Sequence, residues 1–526
     1  MDMNTERLKV LSISDPQVTS IPSPPPAPPS STSSSPSGKL PIELLSEIFL
    51  LCVGDVLDEH HTILMPLLVS KICSRWRSAA IANPKLWSWL FLDLTPPNPT
   101  SSSPRSTPPL LLPSSSAYTT SKKNMVETWL ARSGACPLTV YVLWEDPTLS
   151  SFNNTHPVLD VLVQHCMRWQ TMYLYLPSSA FHSFSCIRNR LPMLTGLSLG
   201  MDDRDMISGV TLGEDNKVHN MFENAPRLRS LECVNFSPSM FKFPWNQLQK
   251  IPSLAVTIDE ALDILHRAKR LVEVGFIFVD VGNPPWHHPT SSSHPLTAPH
   301  IDHNHLRCFT LMTPFWNETI SLRPLFPHLA FPQLESLTIC NLKSPLGPEF
   351  TQFLSQLHVL KTLHLRKTAL SDEELVEGLK YLPSLTSLII HSSDDHDDRV
   401  EQVEPTVTRY LFGALTRNFF SACSMDSDSD YASHGMLLPR LVAIEMTLNS
   451  HITLEALDDL LEMLQSRLRE DGTVAAVSRL EKVRLRSSVD LDEEFLIDLI
   501  ELKRDFGLAV SVEGVGERGM SIEELQ

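Results

Sequence analysis

Nine times between residues 194 and 485 the chain repeats one short pattern: an apolar residue, two of any kind, a second apolar residue, one of any kind, and a third apolar residue. The copies are Leu194-Leu197-Leu199, Leu228-Leu231-Cys233, Leu271-Val274-Phe276, Leu306-Phe309-Leu311, Leu334-Leu337-Ile339, Leu360-Leu363-Leu365, Leu385-Leu388-Ile390, Leu441-Ile444-Met446 and Leu480-Val483-Leu485. Their leading leucines lie 34, 43, 35, 28, 26, 25, 56 and 39 residues apart. The last two positions of each copy have the period of a strand with one buried face. A unit of 25 to 28 residues, the shortest spacings, cannot bury such a face alone, so it must stack on its neighbours. Repetition therefore favours a solenoid over an ordinary α/β domain with a leucine-rich sheet.

Between copies lie helical stretches such as Ser371 to Leu379, where Ser371 and Glu374 have capping-box spacing. Upstream, Met125, Val126, Trp129 and Leu130 form a helical stripe ending at Gly134, and Leu138 to Trp144 and Met172 to Leu176 read as strands. Pro192, Pro226, Pro332, Pro383 and Pro439 each sit just before a copy, where a loop enters a strand. The class is α/β with parallel strands, and the array resembles an irregular leucine-rich-repeat solenoid spanning 123–515, the usual asparagine position being absent in most copies. Insertions at 282–304 and 392–434, both polar and rich in Pro, Asp or Ser, explain the long spacings and are expected as surface loops.

The stretch from Leu40 to Leu90 has a different texture. After Pro41, the residues Leu44, Leu45, Ile48, Phe49 and Cys52 fall at helical spacing. A second helix is expected from Pro66, with Leu68, Val69, Ile72, Cys73, Trp76, Ala79 and Ala80 as one stripe. Asn83-Pro84 stops it and opens a short third element carrying Leu86, Trp87 and Trp89. Three helices of this size leave much of their Leu and Trp surface unburied, which implies an external partner.

Leu40-Pro41-Ile42-Glu43-Leu44-Leu45, then Ile48-Phe49, Leu68-Val69, Cys73, Trp76-Arg77 and Pro84-Lys85-Leu86-Trp87 resemble the F-box. The match departs from the family in Ile72 and in the long joint from Val53 to Met65, a feature of the subgroup common in fungi. The resemblance implies a small three-helix domain (39–94) that docks the Skp1 adaptor and through it a cullin. The contact residues it implies are Leu40, Pro41, Leu44, Leu45, Ile48, Phe49, Leu68, Val69, Cys73, Trp76, Pro84, Leu86 and Trp87. A disordered Pro/Ser-rich N-terminus (1–38), a linker of similar composition (95–122) and a tail (516–526) complete the organisation.

Composition removes other classes. A net charge of -18 argues against nucleic acid and anionic lipid as partners. There is no signal pattern and no apolar run long enough to cross a bilayer, so a cytoplasmic or nuclear protein is expected, with no membrane association. Nine scattered cysteines without a C-x-x-C pair read as reduced, mostly buried thiols. Histidines 287, 288, 294, 300, 303 and 305 lack fixed geometry for zinc, and the run Asp394 to Asp398 reads as a solvated loop. Gly514-x-Gly516-x-x-Gly519 is followed by too few residues for a nucleotide fold. No catalytic residue, metal or cofactor is assigned.

The expected function is a substrate receptor of a cullin-RING ubiquitin ligase, not itself an enzyme, with a repeat domain that binds an unknown target protein. The alternative is a repeat scaffold without ligase function. Strand alternation places Thr362, His364 and Arg366, and likewise Lys482, Arg484 and Arg486, on the open face of the sheet. This basic strip is a candidate site for an acidic or phosphorylated segment. Its other reading is an internal ion pair, with Glu445 in register with Arg484.

Overall fold

The computed structural model describes residues 40–53, 59–95, 115–145, 156–201, 219–234, 237–279, 300–314, 320–391, 407–417, 436–449, 452–469, 478–487 and 491–514. The two tails, residues 96–114 of the Pro/Ser stretch, most of both insertions, the run Asp394 to Asp398, His287, His288, His294 and Gly516 to Gly519 lie outside the described residues.

In chain order the strands are β1 (Trp89–Asp93), β2 (Leu138–Leu143), β3 (Trp169–Tyr175), β4 (Gly196–Gly200), β5 (Ser230–Val234), β6 (Lys250–Val256), β7 (Glu273–Phe278), β8 (Ile301–Asp302), β9 (Cys308–Met312), β10 (Leu329–Ala330), β11 (Ser336–Cys340), β12 (Thr362–Arg366), β13 (Ser387–His391), β14 (Ala443–Leu448), β15 (Lys482–Ser487) and β16 (Ala509–Gly514). All but β8 and β10 join one sheet of 14 parallel strands whose spatial order is the chain order. No strand crosses over another, so each unit meets mainly its two neighbours, as in a solenoid. The helices are α1 (Ile42–Val53), α2 (Glu59–Ile72), α3 (Ser74–Ala82), α4 (Ser115–Arg132), α5 (Pro157–Gln164), α6 (Ile258–Arg267), α7 (Gly347–Leu354), α8 (Asp372–Leu379), α9 (Arg409–Leu415), α10 (Leu454–Leu468) and α11 (Glu493–Phe506).

Every copy of the repeated pattern is a strand of this sheet. Its second and third apolar residues point inward from β4, β5, β7, β9 and β11 to β15, and no leading leucine is more than 1% exposed. Main-chain bonds join successive units at the entry to each strand. The carbonyls of Thr195, Arg229, Gln249, Val272, Arg307, Glu335, Lys361, Thr386 and Val442 each accept two consecutive amides from the next unit, at 2.8–3.1 Å. Buried backbone groups must be paired, and this ladder pairs them without a side chain. The capping box at Ser371 and Glu374 opens α8, and Gly134 takes φ +55° just past the end of α4.

Several boundaries differ from the sequence reading. Strand β1 falls inside the expected 39–94 module, and α4 starts at Ser115, inside the expected linker. The reason is burial: Leu90 and Leu92 alternate inward and pair with β2, while Val126, Trp129 and Leu130 anchor α4 on the sheet. The first insertion ends earlier than expected, because Ile301 and His303 are buried in the body. Within the second insertion, α9 buries Leu411, Phe412 and Leu415. Among the cysteines, Cys166, Cys233 and Cys340 are buried, whereas Cys52, Cys73 and Cys186 are exposed.

Arg467 of α10, only 3% exposed, holds the C-terminal repeats together. It donates to the carbonyls of Leu415 (2.8 Å), Leu438 (3.1 Å) and Leu437 (2.8 Å), and Leu438 has the left-handed φ of +50° that such a clamp must fix. Burial pushes its pKa down to about 10, so it stays charged near neutrality. Arg467→Leu leaves three carbonyls without a donor and is expected to cost about 3 kcal/mol or more. Arg467→Lys should recover only part of this, since an ammonium lacks the fork. An unchanged urea midpoint for Arg467→Leu would contradict the clamp.

His303 gives the fold an acid limit. Its Nε2 lies 2.7 Å from the carbonyl of Leu265, so Nε2 carries the proton, while Nδ1 is buried without a partner. Burial, foremost, lowers its pKa below the ordinary 6.5. The neutral ring's contribution is therefore full above pH 6.5 and is lost as pH falls below it, because the unfolded chain then binds a proton the folded one resists. His156, His165, His219, His364 and His391 are shifted the same way, chiefly by burial. Urea midpoints should fall between pH 7.5 and pH 5.5, and His303→Gln should narrow that fall; equal falls in both proteins would refute the assignment.

Candidate protein-interaction site

Helix α1 has two apolar faces with different fates. Leu45 and Phe49 are buried, whereas Leu44, Ile48 and Leu51, at i, i+4 and i+7, share a face turned to solvent. Helix α2 divides in the same way, Val69 inward and Leu68 and Ile72 outward. These five outward side chains are 41–79% exposed, on two helices that pack against each other. Large apolar side chains gathered in this way mark an interaction surface.

The expected single helix from Pro66 to Ala80 is two helices. Cys73 takes an extended φ of −156°, and its Sγ accepts from the Trp76 amide at 3.4 Å, so it ends α2 and caps α3. The break lets Trp76 pack on Phe49, ring centroids 5.0 Å apart, and lets the small residues Ala79 and Ala80 sit fully buried. Arg75 closes the module by donating to the Leu40 carbonyl.

Trp87 fixes this module to the sheet. Its Nε1 donates to the Ala80 carbonyl at 2.8 Å, its ring meets Trp129 edge-on at 4.8 Å, and the Arg132 guanidinium lies 4.5 Å from the ring centre. Trp129 in turn donates to the Trp89 carbonyl at 2.9 Å, where β1 begins. The short third element thus splits: Leu86 and Trp87 form a buried 3₁₀ turn, and Trp89 opens the sheet.

Of the expected contact residues, Leu45, Phe49, Val69, Leu86 and Trp87 are core and support the surface from beneath. Pro41, Leu44, Ile48, Leu68, Cys73 and Pro84 are exposed, and Leu40 and Trp76 are half-buried. Leu51 and Ile72, absent from that set, belong to the exposed face. The i+7 and i+4 spacings from Leu44 and Leu68 were the signal for them.

The basic strip lies at the other end of the sheet. Register aligns His364, Ile389, Glu445, Arg484 and Ser511 across β12 to β16. Glu445 lies 3.3 Å from Arg484, 3.4 Å from Arg486 and 3.3 Å from His391. Glu513 lies 3.4 Å from Arg486. Arg366 and Lys482 sit exposed at the border of this group. His364 and His391 both have pKa values lowered chiefly by burial, which favours neutral rings.

Among the described residues no cluster of His, Cys, Asp or Glu could hold a metal, and no helix is long and apolar enough to cross a membrane. No protein-family model matches the chain, and no curated protein matches it.

Proposed function

We propose that the chain is the substrate-receptor subunit of a Skp1-cullin-F-box ubiquitin ligase, docking the Skp1 adaptor through α1 and α2 and a target protein through the repeat body. One observation carries this reading: Leu44, Ile48, Leu51, Leu68 and Ile72 are held exposed on a helical pair with its own core. An apolar partner helix laid across that pair would remove these side chains from water, the main favourable term in association. The partner is suggested by the F-box resemblance, which includes Leu44, Ile48 and Leu68 of this face.

In this role the chain supplies no catalytic group. Its contribution to ubiquitin transfer is proximity, which raises the effective concentration of a target lysine at the charged enzyme. A stiff receptor suits that task. The helical module continues directly into β1, so the adaptor and the target would sit at fixed positions on one sheet. The setting is cytoplasmic, nuclear or both.

The test is capture of purified Skp1 by the full-length chain carrying Leu44→Glu and Ile48→Glu. Both positions are exposed, so the melting temperature should stay within about 2 °C of the parent. Affinity should fall more than about tenfold for each site if these are central contacts. Retained capture by the double variant would exclude this face as the adaptor site.

A further inference from the structure

The cationic cluster on the open face of β12 to β16 is only partly neutralised by the chain itself. Its outward positions hold Arg366, Lys482, Arg484 and Arg486 against the carboxylates Glu445 and Glu513. The distances weigh against a closed internal network. The three arginine–glutamate pairs within the cluster span 3.3–3.4 Å. Charge-assisted hydrogen bonds ordinarily close to about 2.7–2.9 Å. Several pairs elsewhere in this chain do so, at 2.7 Å for Lys250 with Glu273 and for Lys361 with Glu335, and 2.6 Å for Arg409 with Asp459, although others reach 3.1–3.9 Å.

The orphaned atoms point the same way. His364 Nε2 and Arg484 Nε are buried without a hydrogen-bond partner, and Arg486 Nε, also buried, has only a Glu513 oxygen 3.4 Å away. Buried donors without acceptors carry the full desolvation penalty, so an arriving acceptor gains more here than at an exposed lysine. The backbone beneath is fixed by parallel pairing on both sides, and the side chains therefore present a set spacing.

We infer that this cluster is a docking site for an anionic side chain, a carboxylate or a phosphoryl group, on an extended segment of a partner protein, with Arg366, Arg484 and Arg486 as its donors. The inference rests on the reading of the repeat body as the target-binding half. It is independent of the adaptor. An anion entering between Arg366 and Arg486 competes with Glu445 and Glu513 for the Arg486 guanidinium.

The experiment uses the full chain and three labelled peptides of equal length, measured by fluorescence anisotropy at low salt: hexaglutamate, a Gly-phosphoserine repeat and a neutral Gly-Ser repeat. Both anionic peptides, or one of them, should bind about tenfold or more tightly than the neutral one. A preference for phosphoserine assigns the phosphoryl group, a preference for hexaglutamate assigns the carboxylate, and equal binding assigns an anion of either kind. Arg366→Glu should abolish the preference. Arg227→Glu, an exposed cation elsewhere that changes the net charge equally, should leave it within about twofold. Absence of any preference, or equal loss in both variants, overturns the site. Skp1 capture measured on the same preparations separates the two readings: intact capture with no peptide preference rejects this site alone.

Discussion

Everything in this protein rests on a backbone constraint: each repeat closes its own edge by giving two consecutive amides to one carbonyl of the unit before it. Because the bond is made by main chain, the turn can vary in sequence from Thr195 to Val442 without changing its geometry. The leucine that precedes each strand is thereby carried into the core at the same depth every time. An unpaired buried amide costs more than most side-chain contacts contribute, so the ladder is the interaction that sets the pitch.

That rigidity gives the two candidate surfaces their meaning. The exposed leucines and isoleucines of α1 and α2 stand at one end of the sheet, where Trp87 is held by Ala80, Trp129 and Arg132. The cationic cluster stands near the other end, on β12 to β16. The chain continues from the helical module directly into the sheet at β1.

Where the sequence reading failed, a physical reason is visible. Strand β6, which the sequence reading did not include, reads Lys250-Ile251-Pro252-Ser253-Leu254-Ala255-Val256, and a proline argues against a central strand. It is accommodated by a shift of register between Ile251 and Leu254, and by Gly275 on the next strand, where a Cβ would lie 2.3 Å from the Pro252 carbonyl. Strand β1 hid inside the helical module because its apolar residues belong to a neighbour 50 residues away in sequence: Trp89 pairs with Thr139. The buried helix α9 was hidden by the polar residues around it.

The sequence by itself determined the nine repeat strands, that they run parallel and which of their residues point inward, because a period of two fixes the face of every residue once one is buried. It also determined that the segment from Leu40 to Trp87 is helical and richer in apolar residues than its size can bury. Only the tertiary structure decided which of those residues are core and which are surface. On a helix the apolar stripe is wider than the contact it makes, so Leu45 and Phe49 turn inward while Leu44, Ile48 and Leu51 remain outside, a choice made by where Trp76 and Trp87 pack. The same holds for the charges. Sequence placed Glu445 beside Arg484, but that Arg486 also reaches Glu445, at 3.4 Å, is seen only in the folded sheet.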